Sequence, residues 1–86
     1  MKELEKTLKA LANRRRLAIV KYLKENGTAT VNDLAKFLNL SFKSTSKHLR
    51  VLALASIVER EQKSLNMHYY LESRLSGVAK FITFIV

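Results

Sequence analysis

Apolar residues recur every three or four positions over most of the chain, which is the spacing of a buried helix face. Residues 2–11 show this spacing between lysines and glutamates, which predicts an amphipathic first helix. Asn13 can cap a second helix, and Asn26-Gly27 can end it in a left-handed conformation. We therefore expect a core helix over 13–25.

A second pair of helices follows, joined by a short turn. Residues 28–30 are expected to form a stub of strand, and Thr30 with Asp33 matches the capping-box pattern of a helix barely two turns long. That helix is interrupted at 39–41, where an asparagine can turn the chain and a serine can cap the next helix, predicted over 42–55. The inward positions of this last helix are predicted to be Thr45, Leu49 and Leu52. Two helices joined by a tight turn form a helix-turn-helix unit.

The last third of the chain changes period. Residues 57–61 and 67–71 alternate with period two, which predicts a hairpin with its loop at 62–66. Residues 73–86 return to helical spacing and predict a terminal helix whose apolar surface is wider than one stripe. The expected fold is mainly α with a small β-hairpin, a winged helix-turn-helix of order α-α-(β)-α-α-β-β-α in a single domain over 1–86.

The charge balance narrows the class of partner. Sixteen lysines and arginines against seven aspartates and glutamates give a net charge of +9. A domain this basic attracts polyanions, because neutralising phosphates releases condensed counterions. Nucleic acid is the favoured partner, with a plain solvated surface and a membrane surface as the alternatives.

The helix predicted over 42–55 gathers cations and hydroxyls on its outward face. No acidic residue occurs between Asp33 and Glu59. Lysine and arginine can donate to guanine, serine adapts to several base edges, and a helix N-terminus favours phosphate. We therefore predict that this helix enters the major groove of double-stranded DNA, the alternative being an ordinary solvated face. The candidate DNA-binding residues on it are Lys43, Ser44, Ser46, Lys47, His48 and Arg50.

The hairpin and the second helix offer further basic residues. Arg60 and Lys63 are expected at or near the hairpin tip, where they can meet the DNA backbone or the minor groove. Lys63 is the stronger candidate for a DNA contact. Arg60 lies between two glutamates, so an ordinary solvated position explains it nearly as well as a DNA contact does. Of the arginines at 14–16, at most two can face phosphate, and one is expected to pair with an acidic residue or to cover the core with its stem.

The sequence lacks the residues that catalysis and metal binding need. The chain has two histidines, His48 and His68, and no cysteine, whereas a metal site usually draws three or four protein ligands. The serines at 41, 44 and 46 have no histidine and acid spaced to activate them, and two glycines cannot make a phosphate loop. We expect no enzyme activity, no metal site and no cofactor, and for His48 a hydrogen bond at the core edge or a phosphate contact.

The apolar terminal helix needs a covering partner. The tail over 78–86 is far shorter than the roughly 20 residues that span a bilayer. We expect no membrane contact, and another surface must cover the apolar face of this helix. Met1 to Lys9 is charged and lacks the apolar run of a signal peptide, so a cytoplasmic location is expected.

Six segments carry a family motif: Leu8 to Leu17, Val31 to Ala35, Leu40 to Ser41, Ser46 to Leu52, Ile57 to Val58 and Tyr70 to Leu71. In these segments the chain resembles the ArsR-type winged helix-turn-helix transcriptional regulators. The most specific of them is the Ser-basic-His-Leu-basic-x-Leu run of Ser46 to Leu52. The resemblance implies a homodimeric repressor of a palindromic operator, with its reading helix on 43–48 and its wing on 60–66. It also implies that the first and last helices, 2–11 and 73–86, form the dimer interface. The interface residues expected there are Leu4, Leu8, Val78, Phe81, Ile82 and Ile85.

The chain also departs from that family's pattern. Many members bind a metal through a pair of cysteines at the positions of 31–35, or through Asp and His ligands on the last helix, at the positions of 73–77. This chain has neither set of ligands there, so no metal or small-molecule effector is identifiable. Ser56 stands where a glycine usually follows the reading helix, and the wing lacks its usual glycine. Two other functions stay open: a protein-interaction module that docks a partner through the apolar terminal helix, and an RNA-binding winged helix.

Overall fold

The computed structural model describes residues 1–75 and 77–86, which form five helices and three strands. The helices are α1 (Lys2–Leu11), α2 (Arg14–Asn26), α3 (Val31–Leu38), α4 (Phe42–Leu54) and α5 (Gly77–Ile85), and the strands are β1 (Thr28–Thr30), β2 (Val58–Lys63) and β3 (Asn66–Leu71). Their order confirms the winged helix-turn-helix predicted from periodicity. In the helix-turn-helix unit, α3 packs against α4.

Side-chain caps begin three of the helices. The Asn13 side chain accepts hydrogen bonds from the N–H groups of Arg15 and Arg16, both at 3.0 Å. The Thr30 hydroxyl accepts from the Asp33 N–H at 3.1 Å, and the Asp33 carboxylate accepts from the Thr30 N–H at 2.9 Å, which confirms the capping box. Each cap satisfies N–H groups that lack an acceptor within the helix, so these starts are set locally.

The three strands form one antiparallel sheet of order β1-β3-β2. The β2–β3 hairpin is the wing, and its ladder runs from the Val58 and Leu71 pair to the Lys63 and Asn66 pair. Ser64 and Leu65 alone make the turn, so the predicted loop over 62–66 was too long. The prediction missed this because Ser64 takes a left-handed φ of 54° that a glycine usually supplies, which allows a two-residue turn.

A single apolar core joins the helices to the base of the sheet. The largest fully buried side chains are Ile19, Leu23, Leu34, Leu49, Leu52, Ile57, Val20 and Thr45. Three of them come from α4 and are the inward positions predicted for it. Burying one leucine side chain of this kind contributes roughly 1.5–3 kcal/mol, so the leucines fix the rotation of α4 about its axis.

The predicted terminal helix over 73–86 starts too early. Ser73 and Arg74 form a turn in which the Glu72 carboxylate accepts from the Ser73 hydroxyl at 3.4 Å and from the Arg74 N–H at 3.1 Å. These bonds hold the chain away from helical geometry at that point. The helix is described from Gly77 onward, and Ser76 lies outside the described residues.

Candidate nucleic-acid interface

The outward face of α4 carries the cations and hydroxyls predicted from the sequence. Thr45, Leu49 and Leu52 are completely buried, and the side chains on the opposite face are exposed. Those exposed side chains are Lys43, Ser44, Lys47 and Arg50, and Ser46 and His48 are half-buried at the flanks. The helix therefore presents to solvent the set of donors that suits base edges and phosphates.

A groove of about 580 Å³ separates α4 from the wing. Its lining residues are Phe42, Lys43, Ser46, Lys47, Leu49, Arg50, Ala53, Leu54, Arg60 and Tyr69, and no acidic residue is among these described positions. Four cations, Lys43, Lys47, Arg50 and Arg60, thus line one groove. Its walls are a helix and a β-ribbon, the two kinds of element that the major groove of DNA admits.

The wing places Lys63 as expected and Arg60 differently from the expectation. Arg60 pairs with Tyr69 in the middle of the ladder and lines the groove, so its predicted place at the hairpin tip is wrong. The reason is that the ladder continues through Lys63, which pairs with Asn66 beside the turn and occupies the tip as expected. Sequence reasoning also missed Leu65, which is 93% exposed at the tip.

Strand alternation separates the acidic and basic residues of β2. Successive side chains of a strand point to opposite faces, so Glu59 and Glu61 lie on the face opposite Arg60. A wing with mixed charges in sequence is therefore basic where it meets α4. The two glutamates that flank Arg60 in sequence therefore do not share its face and do not offset its charge there.

The face away from the groove holds a small hydrogen-bonded group. The Tyr70 hydroxyl donates to Glu59 Oε2 at 3.4 Å. A hydrogen bond to Glu72, and then the negative charge of Glu72, raise the pKa of Glu59, while the same bond lowers the pKa of Glu72. The group lies at the exposed base of the wing.

The backbone at the start of α4 adds positive potential to the groove. Ser41 Oγ accepts from the Ser44 N–H at 3.0 Å, and the Thr45 hydroxyl donates to the Ser41 carbonyl at 2.9 Å. The first N–H groups of a helix have no acceptor within it, and they form the positive end of its dipole. This end of α4 carries Lys43, so charge and dipole act in the same direction.

The arginines at the start of α2 divide into two kinds. Arg14 and Arg15 are exposed, whereas Arg16 is half-buried and donates to the backbone carbonyls of Lys9 and Ala10 at the end of α1. The sequence predicts for one of the three an acidic partner or a stem that covers the core, and the acceptors of Arg16 are these backbone carbonyls. A third nitrogen of Arg16 lies 3.3 Å from Nδ1 of His48, a contact that sequence reasoning missed.

His48 is the half-buried member of the α4 surface. Burial, followed by the charges of Arg16 and Arg15, lowers the pKa of His48 from its ordinary value. The side chain is hydrogen-bonded at the edge of the core, as predicted for it. A neutral imidazole keeps one nitrogen as an acceptor and the other as a donor.

The end of the molecule built from α1 and α5 exposes apolar side chains. These two helices pack against each other, and Leu4, Leu8, Phe81 and Ile85 are 40%, 47%, 62% and 56% exposed. Val78 and Ile82 are half-buried, and Ile82 packs on the core of its own chain. We call the four exposed residues, with Phe84 at 79%, the α1–α5 patch.

Across residues 1–75 and 77–86, no helix combines the length and apolar character needed to cross a membrane. Within the same residues, no three histidine, cysteine, aspartate or glutamate side chains are grouped so that they could hold a metal ion.

Comparison with known sequences agrees with this geometry. A family model described as a helix-turn-helix domain matches residues 11–61. The arsenical resistance operon repressor of Bacillus subtilis is 31% identical over 69 residues, which cover 80% of this chain. The chain spans 66% of the length of that repressor.

Solved structures show the same architecture. Reduced HlyU from Vibrio cholerae is 30% identical and superimposes with a TM-score of 0.82 over 96% of this chain and 83% of its own. A homodimeric winged helix-turn-helix DNA-binding domain from Mycobacterium bovis superimposes with a TM-score of 0.83 over 98% of this chain and 75% of its own. The second is 24% identical, so its likeness concerns the fold alone.

Proposed function

The chain belongs to the ArsR-type winged helix-turn-helix family of transcriptional regulators, and from this premise we propose that it represses transcription by binding a palindromic operator as a homodimer. Members of this family are regulators and not enzymes. The proposed site of action is the cytoplasm, and the proposed ligand is double-stranded DNA.

The observation that carries the proposal is the cationic groove between α4 and the wing. Lys43, Lys47 and Arg50 leave α4 on the side opposite its buried leucines, and Arg60 joins them from β2. We place α4 in the major groove, with the sugar-phosphate backbone passing between α4 and the wing. Lys63 at the wing tip then meets the next stretch of backbone or the minor groove.

The α1–α5 patch supplies the second half of the proposal. Exposed side chains of this size on neighbouring helices are typical of a surface that another protein covers, and a two-fold axis lets one patch cover its own copy. In such a dimer the two α4 helices enter successive major grooves about 34 Å apart. This geometry requires an operator with two related half-sites.

The test compares Lys47→Ala with Lys21→Ala, an exposed lysine of α2 that does not line the groove. Bound fragments are first selected from genomic DNA, and affinity for the best fragment is measured by fluorescence anisotropy over a range of salt concentrations. Loss of one phosphate contact reduces the slope of log affinity against log salt by about one, so loss of Lys47 from both protomers should reduce it by about two. We expect this reduction for Lys47→Ala and none for Lys21→Ala.

Two outcomes would overturn the proposal. One is a Lys47→Ala variant with the wild-type salt slope and the wild-type affinity. The other is stronger retention of a duplex RNA than of the selected DNA in direct competition. Circular dichroism of both variants excludes loss of the fold as the cause of any change.

A further inference from the structure

We propose that Arg16 is a positioning residue for DNA recognition: it ties the end of α1 to α4 through His48 and holds that imidazole with its Nε2–H as the free donor. The proposal rests on the DNA-binding function proposed above. It assigns a role to a side chain that lies outside the cationic groove.

Arg16 lies where three helices meet. Its Nε donates to the Ala10 carbonyl and its Nη2 donates to the Lys9 carbonyl at 3.0 Å. Both carbonyls belong to the last turn of α1, where backbone acceptors lack donors within the helix. The guanidinium therefore caps α1, and a cation at a helix C-terminus is also favoured by the helix dipole.

The remaining terminal nitrogen of Arg16 faces the reading helix. Its Nη1 lies 3.3 Å from Nδ1 of His48, which is 32 residues further along the chain. A guanidinium has donors only, so Nδ1 must be the acceptor in this contact. A neutral imidazole that accepts at Nδ1 carries its hydrogen at Nε2, and one tautomer of His48 is thereby selected.

This arrangement gives His48 a defined use on the DNA side. The residue stands at the flank of the α4 surface beside Lys47, half-buried on one side. An Nε2–H group held in one orientation can donate to a phosphate oxygen without first losing rotational freedom. Because the same guanidinium binds α1, the orientation of this donor is tied to the helix that carries part of the α1–α5 patch.

Protonation of His48 breaks the contact. The imidazolium has a hydrogen on both nitrogens, so Nδ1 then directs a donor and a positive charge at Arg16. Burial lowers the pKa of His48 from its ordinary value, and the charges of Arg16 and Arg15 of α2 lower it further. From α1 come carbonyl oxygens, and the Lys9 ammonium is paired with Glu5 at 3.8 Å. The contact is accordingly present at neutral pH and is lost as pH falls through the lowered pKa.

The first experiment follows the His48 ring by nitrogen-15 NMR in the wild type, Arg16→Gln and the control Arg14→Gln. Arg14 is exposed at the start of the same helix, and its loss changes the net charge equally. We expect the Nε2–H tautomer in the wild type. In Arg16→Gln we expect a mixture of tautomers and a higher pKa of His48, and in Arg14→Gln no change of either. An Nδ1–H tautomer in the wild type, or an unchanged His48 pKa in Arg16→Gln, would overturn the proposal.

The second experiment is a double-mutant cycle on DNA affinity at pH 7.5 with the selected duplex. We expect Arg16→Gln and His48→Leu each to weaken binding about tenfold, in keeping with one lost charge-assisted hydrogen bond. The double variant should then be no weaker than either single one, because both changes remove the same contact. Fully additive losses would show that Arg16 acts without His48 and would overturn the proposal.

If Arg16→Gln fails to fold, a comparison of His48→Gln with His48→Leu tests the role of the ring in its place. Glutamine offers an acceptor to Arg16 and a donor to phosphate, so it should retain most of the affinity that His48→Leu loses. Equal losses in the two variants would contradict the assigned role of the ring. If the wild type binds no DNA at any pH, the proposed function fails, and the NMR experiment alone decides whether Arg16 sets the state of His48.

Discussion

The side-chain oxygen of Ser41 accepts a hydrogen bond from the backbone N–H of Ser44 at 3.0 Å, and this bond fixes where α4 begins. A cap of this kind contributes about 1 kcal/mol to the free energy of unfolding. We predict that Ser41→Ala lowers that free energy by about this amount, measured by urea denaturation.

Ser41→Asp separates capping from DNA binding. Aspartate caps a helix as well as serine does, so the free energy of unfolding should stay near the wild-type value. Its carboxylate also places a negative charge at the end of α4 that carries Lys43, and DNA affinity should fall. If Ser41→Asp lowers the free energy of unfolding and leaves DNA affinity unchanged, residue 41 neither caps α4 nor lies near bound DNA.

Local patterns allowed prediction of most of the fold because most element boundaries depend on nearby residues. The Asn13 cap, the Thr30 and Asp33 box and the left-handed Asn39 all act over three residues or fewer, and all form as predicted. The outward face of α4 was predictable for the same reason, since the helical period fixes it once Leu49 and Leu52 are assigned to the core.

The features that escaped prediction depend on partners distant in sequence or on uncommon backbone conformations. The contact of Arg16 with His48 joins residues 32 positions apart, and no local pattern announces it. The tight turn of the wing requires a left-handed serine at Ser64, which is rarer than a left-handed glycine. The place of Arg60 in the groove follows from that turn, because two extra ladder pairs move the tip away from it.

Ser56 has a φ of 58° just after the end of α4, and this predicts a stabilising substitution. A residue other than glycine in the left-handed region costs roughly 1 kcal/mol. We expect Ser56→Gly to recover part of that cost and to raise the midpoint of thermal unfolding by a few degrees, about what is usual for a gain below 1 kcal/mol in a domain of this size. Ala55→Gly is the matched control, because Ala55 has a φ of −92° and gains nothing from glycine. Equal shifts in the two variants would argue against strain at Ser56.

The pair of Glu59 and Glu72 predicts a pH-dependent gain of stability. The pKa of Glu59 is raised by its hydrogen bond to Glu72, so the protonated form donates to the Glu72 carboxylate. A raised carboxyl pKa in the folded state means that this contribution is present at low pH and is lost as pH rises through that pKa.

Glu59→Gln should keep the donor at every pH. The glutamine amide also removes the repulsion between two carboxylates, so we expect a higher unfolding midpoint than the wild type at pH 7 and little difference at pH 4. Glu61→Gln on the same strand changes the net charge equally and controls for charge alone. A gain of the same size in both variants, or one that persists at pH 4, would place its cause outside the pair.

The α1–α5 patch predicts how the proposed dimer can be broken. Phe81 is 62% exposed on α5 and contributes little to the core of its own chain, so Phe81→Glu should leave the fold intact while placing a charge where two copies meet. Burying that charge without a partner costs several kcal/mol per copy, and the symmetry of a dimer applies the penalty twice. We expect light scattering to give the mass of one chain for this variant and of two chains for the wild type. Leu65→Glu introduces the same charge at the more exposed wing tip, away from the patch, and should stay dimeric.

Loss of the dimer should also weaken DNA binding far more than any single groove substitution, because one α4 helix would then bind without the other. A wild type that is monomeric at every concentration would assign the α1–α5 patch to a different partner.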